Sequence, residues 1–273
     1  MKIGLALGGG AIYGYAHIGV IKVLEANGII PDFIAGTSIG SLIGGTYASG
    51  LSIADVEKIS KEFKWQEIVS VTIPTEGFMS IDRLKNFVDK YSKCREIEDT
   101  KIKFAAVATN LLDGKERVFD KGSMGAAIRA SCSLPAIFTP AVYDDGVFVD
   151  GGITNNVPIN VVKNMGADFI IGVDVIAKAK PNVLKNHDIF NIVWQSFLIM
   201  IQENSGFRSY KDADFMIMPD VKNFAPFDLS QKEKIIKKGE EAAENEIGGI
   251  LAKIKEKRSL LGKVKDMLTK DRT

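Results

Sequence analysis

Short apolar runs alternate with helical patterns over the first two-thirds of the chain. The runs typical of buried strands are Lys2–Leu7, Phe33–Thr37, Phe104–Thr109, Arg117–Phe119, Ala141–Tyr143, Val147–Val149 and Phe169–Val175. The stretches with apolar residues at helical spacing are Tyr15–Ala26, Ile39–Ser49, Ile53–Phe63, Ile81–Tyr91 and Ser123–Ala130. This alternation predicts an α/β fold in which helices cover a mostly parallel central sheet.

The same pattern divides the chain into three stretches. Residues 3–175 carry the alternating elements, and residues 176–230 continue the same domain. Residues 231–273 are helical and strongly charged, which predicts a basic C-terminal helical tail. Its last 21 residues, Lys253 to Thr273, contain eight lysines and arginines against three acidic residues, a net charge of +5.

One face of this predicted tail helix is apolar. It carries Leu260, Leu261, Val264, Met267 and Leu268. Two interpretations are open: the face docks on the domain or on a partner, or it lies on an anionic membrane as a peripheral contact.

Composition and charge exclude several function classes. The 35 Lys+Arg against 34 Asp+Glu leave a net charge of +1, so no chain-wide positive field favours nucleic acid. Two cysteines in 273 residues exclude a disulfide scaffold and favour a reducing compartment. The apolar run Ile3–Leu7 is too short for a secretory signal, and we expect the protein to stay in the cytoplasm.

Three apolar segments are candidates for the walls of a cavity. Ile189–Ile201 is the longest, but polar residues interrupt it and it is too short to span a membrane, so we expect a buried helix or a cavity wall. Ile68–Ile73 and Phe78-Met79 are the other two. Core packing explains all three equally well.

A glycine-rich turn follows the first predicted strand. Gly8, Gly9 and Gly10 stand there, and Gly14 follows just before the first helix. The turn lacks both the Lys-Ser/Thr pair of a phosphate-binding loop and the glycine spacing of a dinucleotide-binding turn. Two interpretations are open: backbone amides that bind a developing oxyanion, or a tight turn that uses only the conformational freedom of glycine.

A serine stands at a predicted strand-to-helix turn. Gly36-Thr37-Ser38-Ile39-Gly40 matches the pattern Gly-x-Ser-x-Gly, with a strand before it and a helix of small residues after it. A sharp turn of this kind lifts the serine hydroxyl away from the backbone, while the flanking glycines let neighbouring segments pass close. The pattern predicts that Ser38 is a nucleophile, and a buried serine in a tight crossing is the alternative.

A serine hydroxyl needs a base, and histidine is scarce in this chain. Of the two histidines, His17 falls in the first turn of the first helix and His187 in a polar loop. Asp150 is the better candidate because it ends an apolar strand and precedes Gly151 and Gly152, where sites gather on an open α/β sheet. A carboxylate is a weak base at its usual pKa, so burial has to raise that pKa. A plain strand-ending turn is the alternative.

In chain order, these motifs resemble those of the patatin-like phospholipase family. The resemblance covers roughly residues 3–175 and includes the segments His17–Val20, Arg129–Phe138 and Asp150–Asp168. It implies a three-layer α/β/α sandwich that hydrolyses acyl esters of lipids with a Ser–Asp dyad, without a metal or cofactor. It also implies roles for particular residues: Ser38 as nucleophile, Asp150 as base, amides around Gly8, Gly9 and Gly10 as the oxyanion hole, and Gly14, Gly36, Gly40, Gly151 and Gly152 as motif support.

Two positions depart from the family pattern. Tyr13 stands where bacterial relatives usually carry Arg or Lys, which argues against a phospholipid headgroup preference more than against hydrolysis. Asn110 stands where relatives often carry Asp.

Two other functions are open. The alternatives are an α/β-hydrolase triad of Ser38, Asp150 and His187, and a catalytically silent lipid-binding protein on the same fold.

Overall fold

The computed structural model describes residues 1–71, 77–143, 145–179, 189–208 and 210–270. Its strands are Ile3–Leu7 (β1), Phe33–Thr37 (β2), Ser70–Val71 (β3), Met79–Ser80 (β4), Lys103–Asn110 (β5), Glu116–Phe119 (β6), Ala141–Tyr143 (β7), Gly146–Asp150 (β8), Phe169–Val173 (β9) and Phe215–Ile217 (β10). Its α-helices are Ala16–Ala26 (α1), Ile39–Ala48 (α2), Ile53–Glu62 (α3), Arg83–Tyr91 (α4), Met124–Ser131 (α5), Ile159–Asn164 (α6), Ile189–Arg208 (α7) and Lys232–Lys270 (α8).

Eight of these strands form one sheet in the order β10-β9-β1-β2-β5-β8-β7, with β6 also paired to β5. β10, β9, β1, β2 and β5 are parallel, whereas β6, β8 and β7 join antiparallel. In the middle of the sheet, Leu7 of β1 is level with Gly36 of β2 and Val173 of β9. The predicted mostly parallel sheet is confirmed, and the carboxyl ends of β1 and β2 lie side by side.

Helices cover both faces of the sheet, so the fold is the expected three-layer α/β/α sandwich. Along β1, Leu5 and Leu7 belong to the larger core with α1, α2 and α5, while Ala6 belongs to the smaller core with α6. This is the alternation that a pleated strand produces. The small side chains of Ala6 and Ala35 bring α6 close to the sheet.

The predicted C-terminal helix is confirmed as α8, and its first part packs on α1. A Cβ atom on Gly239 would meet the carbonyl oxygen of Ala16 at 1.9 Å, so the two backbones touch at a position that only glycine allows. Further along α8, Ile254 is buried and Lys257 Nζ lies 2.5 Å from Asp214 Oδ1. The helix is therefore part of the packed fold at least as far as Lys257.

The prediction for the apolar face at the end of α8 is not tested by the described residues. The side chains of residues 261–270, and residues 271–273, lie outside the described residues. The docking or membrane contact of the apolar tail face therefore stays a prediction. Along the described stretches of the chain, no helix combines the length and the apolar character that crossing a bilayer requires.

α7 confirms the prediction that Ile189–Ile201 forms a helix and a cavity wall, but the helix is buried on one side only, since Ile189, Ile192, Ile199 and Met200 are exposed. Trp194, Leu198 and Ile201 are buried on one side of this helix. A Cβ atom on Gly152 would lie 2.9 Å from Ile201 Cδ1 and 3.2 Å from the Phe197 ring, so α7 packs directly on the turn that follows β8. The apolar spacing therefore reflects a helix placed over the end of the sheet.

Candidate active site

Ser38 occupies a strained turn between β2 and α2. Its φ of 53° lies in the left-handed region, which non-glycine residues adopt only when the surrounding structure forces them. A Cβ atom on Gly36 would meet the Gly40 carbonyl oxygen at 2.4 Å, and one on Gly40 would meet the Leu7 carbonyl oxygen at 2.2 Å. The two flanking glycines thus permit the tight turn that holds Ser38 in this conformation.

Hydrogen bonds from two other elements fix the Ser38 backbone. Its N–H donates to Ser131 Oγ at 2.8 Å, and the Ser131 hydroxyl donates in turn to the Val107 carbonyl at 2.5 Å. Its carbonyl accepts from the Ser41 N–H at 2.8 Å. The turn is therefore tied both to β5 and to the end of α5. These hydrogen bonds involve only the backbone of Ser38 and do not engage its hydroxyl.

Asp150 stands at the end of β8 and is 2% exposed. Its Oδ1 accepts a hydrogen bond from the Gly152 N–H at 2.8 Å. Burial raises the pKa of Asp150 from 3.8 to about 6, while the contacts from the Ser38 side chain and the Gly152 amide lower it in part. The carboxyl group is therefore a stronger base than an exposed aspartate and is still mostly ionised at neutral pH.

The glycine loop presents fewer unpaired amides than the sequence suggests. The Gly8 N–H donates to the Val173 carbonyl at 3.0 Å, and the Gly9 N–H donates to the Asn156 carbonyl at 3.3 Å. Gly10 is the glycine of this triplet whose amide has no acceptor among the described residues. The role of the Gly8 and Gly9 amides as oxyanion donors therefore stays a prediction, and in this structure both amides hold neighbouring segments together.

His17 lies beneath the glycine loop and is not among the residues that line the cavity with Ser38. His17 is fully buried, and its Nε2 donates to the Gly8 carbonyl at 2.7 Å. Burial lowers the pKa of His17 to about 4, so the imidazole is neutral and supports the glycine loop. His187 lies outside the described residues.

Ser38 and Asp150 line the same apolar cavity, which has a volume of about 110 Å³. Gly9, Gly10 and Asn156 lie beside them, and most of the remaining wall is aliphatic or aromatic. Of the candidate walls, Ile189–Ile201 contributes Trp194 and Phe197, Ile68–Ile73 contributes Ile68, and Phe78-Met79 contributes neither residue. Residues 72–76 lie outside the described residues.

Tyr13, the departure from the family pattern, is buried at the edge of this site. Its hydroxyl donates to the Phe224 carbonyl at 2.9 Å, and its ring packs edge-on against Trp194 with 6.3 Å between centroids. Tyr13 therefore links the glycine loop to α7 through packing, and it brings no positive charge to the site.

Three residues of the site escaped the sequence reasoning. Ser131 supports the turn at Ser38, the thiol of the half-buried Cys132 faces Ser38, Ser41 and Asp150, and the Asn156 side chain lines the cavity. Burial raises the pKa of Cys132, so its thiol is neutral. All three fall in segments that resemble the family, Arg129–Phe138 and Asp150–Asp168, and this was the available signal. In the described ranges, no three His, Cys, Asp or Glu side chains are grouped to hold a metal ion.

Known proteins share both the sequence pattern and the fold. A family model described as patatin-like phospholipase matches residues 5–163. The proteins named lysophospholipase NTE1 in Scheffersomyces stipitis and in Debaryomyces hansenii are 32% and 35% identical to this chain. These matches cover 71% and 72% of this chain, but only 13% of each fungal protein. VipD from Legionella pneumophila has a similar fold, with a TM-score of 0.51 at 15% identity over 89% of this chain and 66% of VipD.

Fold and site together define a three-layer α/β protein that holds a serine on a strand-to-helix turn, beside a buried carboxyl group and an apolar cavity. This chain belongs to the patatin-like phospholipase family.

Proposed function

We propose that this chain is a serine acyl hydrolase that cleaves carboxylic ester bonds of lipids, with Ser38 as nucleophile and Asp150 as its base. The observation that carries the proposal is that the Ser38 hydroxyl contacts the buried Asp150 carboxyl group and that both side chains line one apolar cavity. A hydroxyl with an adjacent base is the arrangement that nucleophilic catalysis requires.

In the first half-reaction, Ser38 Oγ attacks the ester carbonyl carbon as its proton passes to the Asp150 carboxylate. The carbonyl oxygen takes up the negative charge, which the Gly10 amide and the N-terminal end of α2 stabilise. Collapse of this intermediate breaks the bond to the alcohol, and Asp150 returns the proton to the leaving alkoxide. The acyl group is then bound to Ser38.

In the second half-reaction, water attacks the acyl carbonyl carbon as Asp150 accepts one of its protons. The same groups hold the oxyanion, and collapse of the intermediate releases the fatty acid while the proton returns to Ser38 Oγ. A base is effective when its pKa lies near the working pH. The pKa of about 6 that burial gives Asp150 therefore lets a carboxylate perform a step that often uses histidine.

For the substrate class, we propose monoacyl lipids such as lysophospholipids, held through the acyl chain and without a charged contact from Tyr13 to the headgroup. The fungal relatives carry the name lysophospholipase. The cavity beside Ser38 is lined mainly by aliphatic and aromatic side chains, which suits an acyl chain. The low cysteine content is in line with hydrolysis in the cytoplasm.

The test is fatty-acid release from palmitoyl lysophosphatidylcholine in the presence of EDTA. We expect wild-type protein to release palmitate, since the proposed mechanism uses no metal. A serine-directed fluorophosphonate is expected to label Ser38 in a one-to-one ratio, as peptide mass spectrometry would show. The labelled protein is expected to release no palmitate.

Two outcomes would contradict the proposal. Labelling of Ser38 with activity retained, or loss of activity with the label on another residue, would remove Ser38 from the chemistry. No release from lysophospholipid, diacyl phospholipid or short-chain ester by pure protein would instead favour the catalytically silent lipid-binding protein.

A further inference from the structure

Asn156 carries a buried amide with no hydrogen-bond partner. The residue is 3% exposed, and neither Nδ2 nor Oδ1 has a partner among the described residues. Its neighbour Asn155 differs, because Asn155 Nδ2 donates to Glu116 Oε2 at 2.5 Å and to Asn160 Oδ1 at 2.7 Å. Buried amides are nearly always paired, so an unpaired one in a cavity wall indicates a group kept for a ligand.

The Asn156 amide lies between the glycine loop and Ser38. A Cβ atom added to Gly9 would meet Asn156 Oδ1 at 2.9 Å and Ser38 Cβ at 3.1 Å, so both side chains flank the same point of the loop. A Cβ atom on Gly8 would meet Asn156 Nδ2 at 3.4 Å, so Oδ1 is the amide atom on the Ser38 side. Because no hydrogen bond among the described residues fixes the amide, a half-turn about its Cβ–Cγ bond exchanges the two atoms and brings Nδ2 to the side of Ser38. Both amide atoms also belong to a residue that lines the cavity with Ser38 and Asp150. The amide therefore stands where the reacting carbonyl of a substrate has to pass.

In the triplet Gly8–Gly10, only the Gly10 amide has no acceptor among the described residues. Oxyanion holes stabilise the developing charge with pre-organised hydrogen-bond donors, and side-chain amides of asparagine serve as such donors. In the glycine loop, the Gly8 and Gly9 amides are bound to carbonyl oxygens, and the carbonyl that holds Gly9 belongs to Asn156 itself. The backbone carbonyl of Asn156 thus accepts from the Gly9 N–H, while the side-chain amide of Asn156 stays unpaired.

We propose that Asn156 is a further catalytic residue, whose Nδ2 donates a hydrogen bond to the substrate oxyanion alongside the Gly10 amide. This inference rests on the proposed hydrolysis at Ser38. It assigns the buried, unpaired side chain a partner that exists only when a substrate is bound. The interaction strengthens as charge develops on the carbonyl oxygen, so it acts on kcat more than on KM.

The test compares variants at Asn156 and Asn155. Asn156→Ala is expected to lower kcat by about 10²–10³-fold with KM little changed, as for the loss of one oxyanion donor. Asn156→Leu fills the same space without an amide, so it is expected to fold with a Tm at or above that of the wild type and to lose kcat equally. Asn155→Ala is the matched control, since it breaks the bonds to Glu116 and Asn160 and is expected to lower Tm while kcat stays close to wild type.

Two inhibitors separate a direct contact from a structural role. An acyl trifluoromethyl ketone forms a tetrahedral adduct with Ser38, and its affinity is expected to fall in Asn156→Ala by the same factor as kcat/KM. An ether-linked lysolipid has no reacting carbonyl, and its affinity is expected to stay unchanged. Equal weakening of both inhibitors, or a kcat close to wild type in Asn156→Ala, would overturn the inference.

The outcomes also separate this inference from the proposed function. Hydrolysis that survives Ser38→Ala, or that is missing in wild-type protein, would overturn both. Hydrolysis that needs Ser38 but survives Asn156→Ala and Asn156→Leu would overturn the role of Asn156 alone.

Discussion

Ser38→Ala is expected to lower kcat for lipid ester hydrolysis by at least about 10⁴-fold, because it removes the atom that attacks the ester. The fold is expected to stay intact, since the turn is held by backbone contacts with Ser131 and Ser41 that alanine keeps. The measurement is the rate of fatty-acid release under substrate saturation, together with Tm. The Ser38 hydroxyl also lowers the pKa of Asp150, so this pKa is expected to rise in the variant.

Ser49→Ala is the matched control for this loss. Ser49 caps the other end of α2, where its hydroxyl donates to the Thr46 carbonyl at 2.7 Å and accepts from the Lys93 N–H at 3.1 Å. This variant is expected to lose some stability and to keep kcat near wild type. A kcat for Ser38→Ala within about tenfold of wild type would show that another group attacks the ester.

Asp150→Asn is expected to lower kcat by about 10⁴-fold and, at the same time, to stabilise the fold. Asparagine has nearly the same shape, and its Oδ1 can still accept from the Gly152 N–H, but it cannot take the proton of Ser38. The loss is comparable to the one seen when an aspartate of a serine-protease triad is replaced by asparagine. The measurements are kcat for the same ester and Tm at several pH values.

The stability gain follows from the pKa of Asp150. Burial raises that pKa from 3.8 to about 6, so the folded state binds a proton more tightly than the unfolded chain. Asp150 therefore does not lower the free energy of unfolding below about pH 4, where it is protonated in both states. It lowers this free energy increasingly as pH rises to 6, and by about 3 kcal/mol above that. Asparagine has no such cost, and the free energy of unfolding of the variant should exceed that of the wild type above pH 6.

The pH dependence gives this prediction its control. The Tm difference between Asp150→Asn and wild type should be several degrees at about pH 8 and should shrink towards about pH 4. A variant that is less stable than wild type at every pH would mean that the carboxylate is held by favourable contacts. A variant that keeps its activity would remove Asp150 as the base.

The sequence was enough to predict the parts of the site whose geometry is set locally. Ser38 stands between two glycines that make a tight turn by themselves, so a five-residue pattern reveals it. Asp150 ends an apolar strand, and strand ends collect functional groups in α/β sheets. The resemblance to the family then pointed to the three-layer sandwich, which the sheet order and the helices on both faces confirm.

The parts that sequence reasoning missed depend on contacts between distant segments. The amides of Gly8 and Gly9 are occupied by carbonyls of Val173 and Asn156, which no local pattern around the loop can indicate. Asn155 and Asn156 are identical neighbours in the sequence, yet one is bonded to Glu116 and the other faces the cavity. Only the packing of the turn after β8 against the glycine loop distinguishes them. The short strands β3, β4 and β10 were missed because two or three residues carry no periodic signal.

The central claim is that a buried carboxyl group, and no imidazole, activates Ser38. Its most direct test is kcat/KM for a soluble short-chain ester, measured against pH in wild-type and His187→Ala protein. We predict two superimposable curves with a single rise centred near pH 6, the pKa that burial gives Asp150, while His17 stays neutral with a pKa of about 4. Loss of hydrolysis in His187→Ala would contradict the Ser38–Asp150 dyad and support a triad.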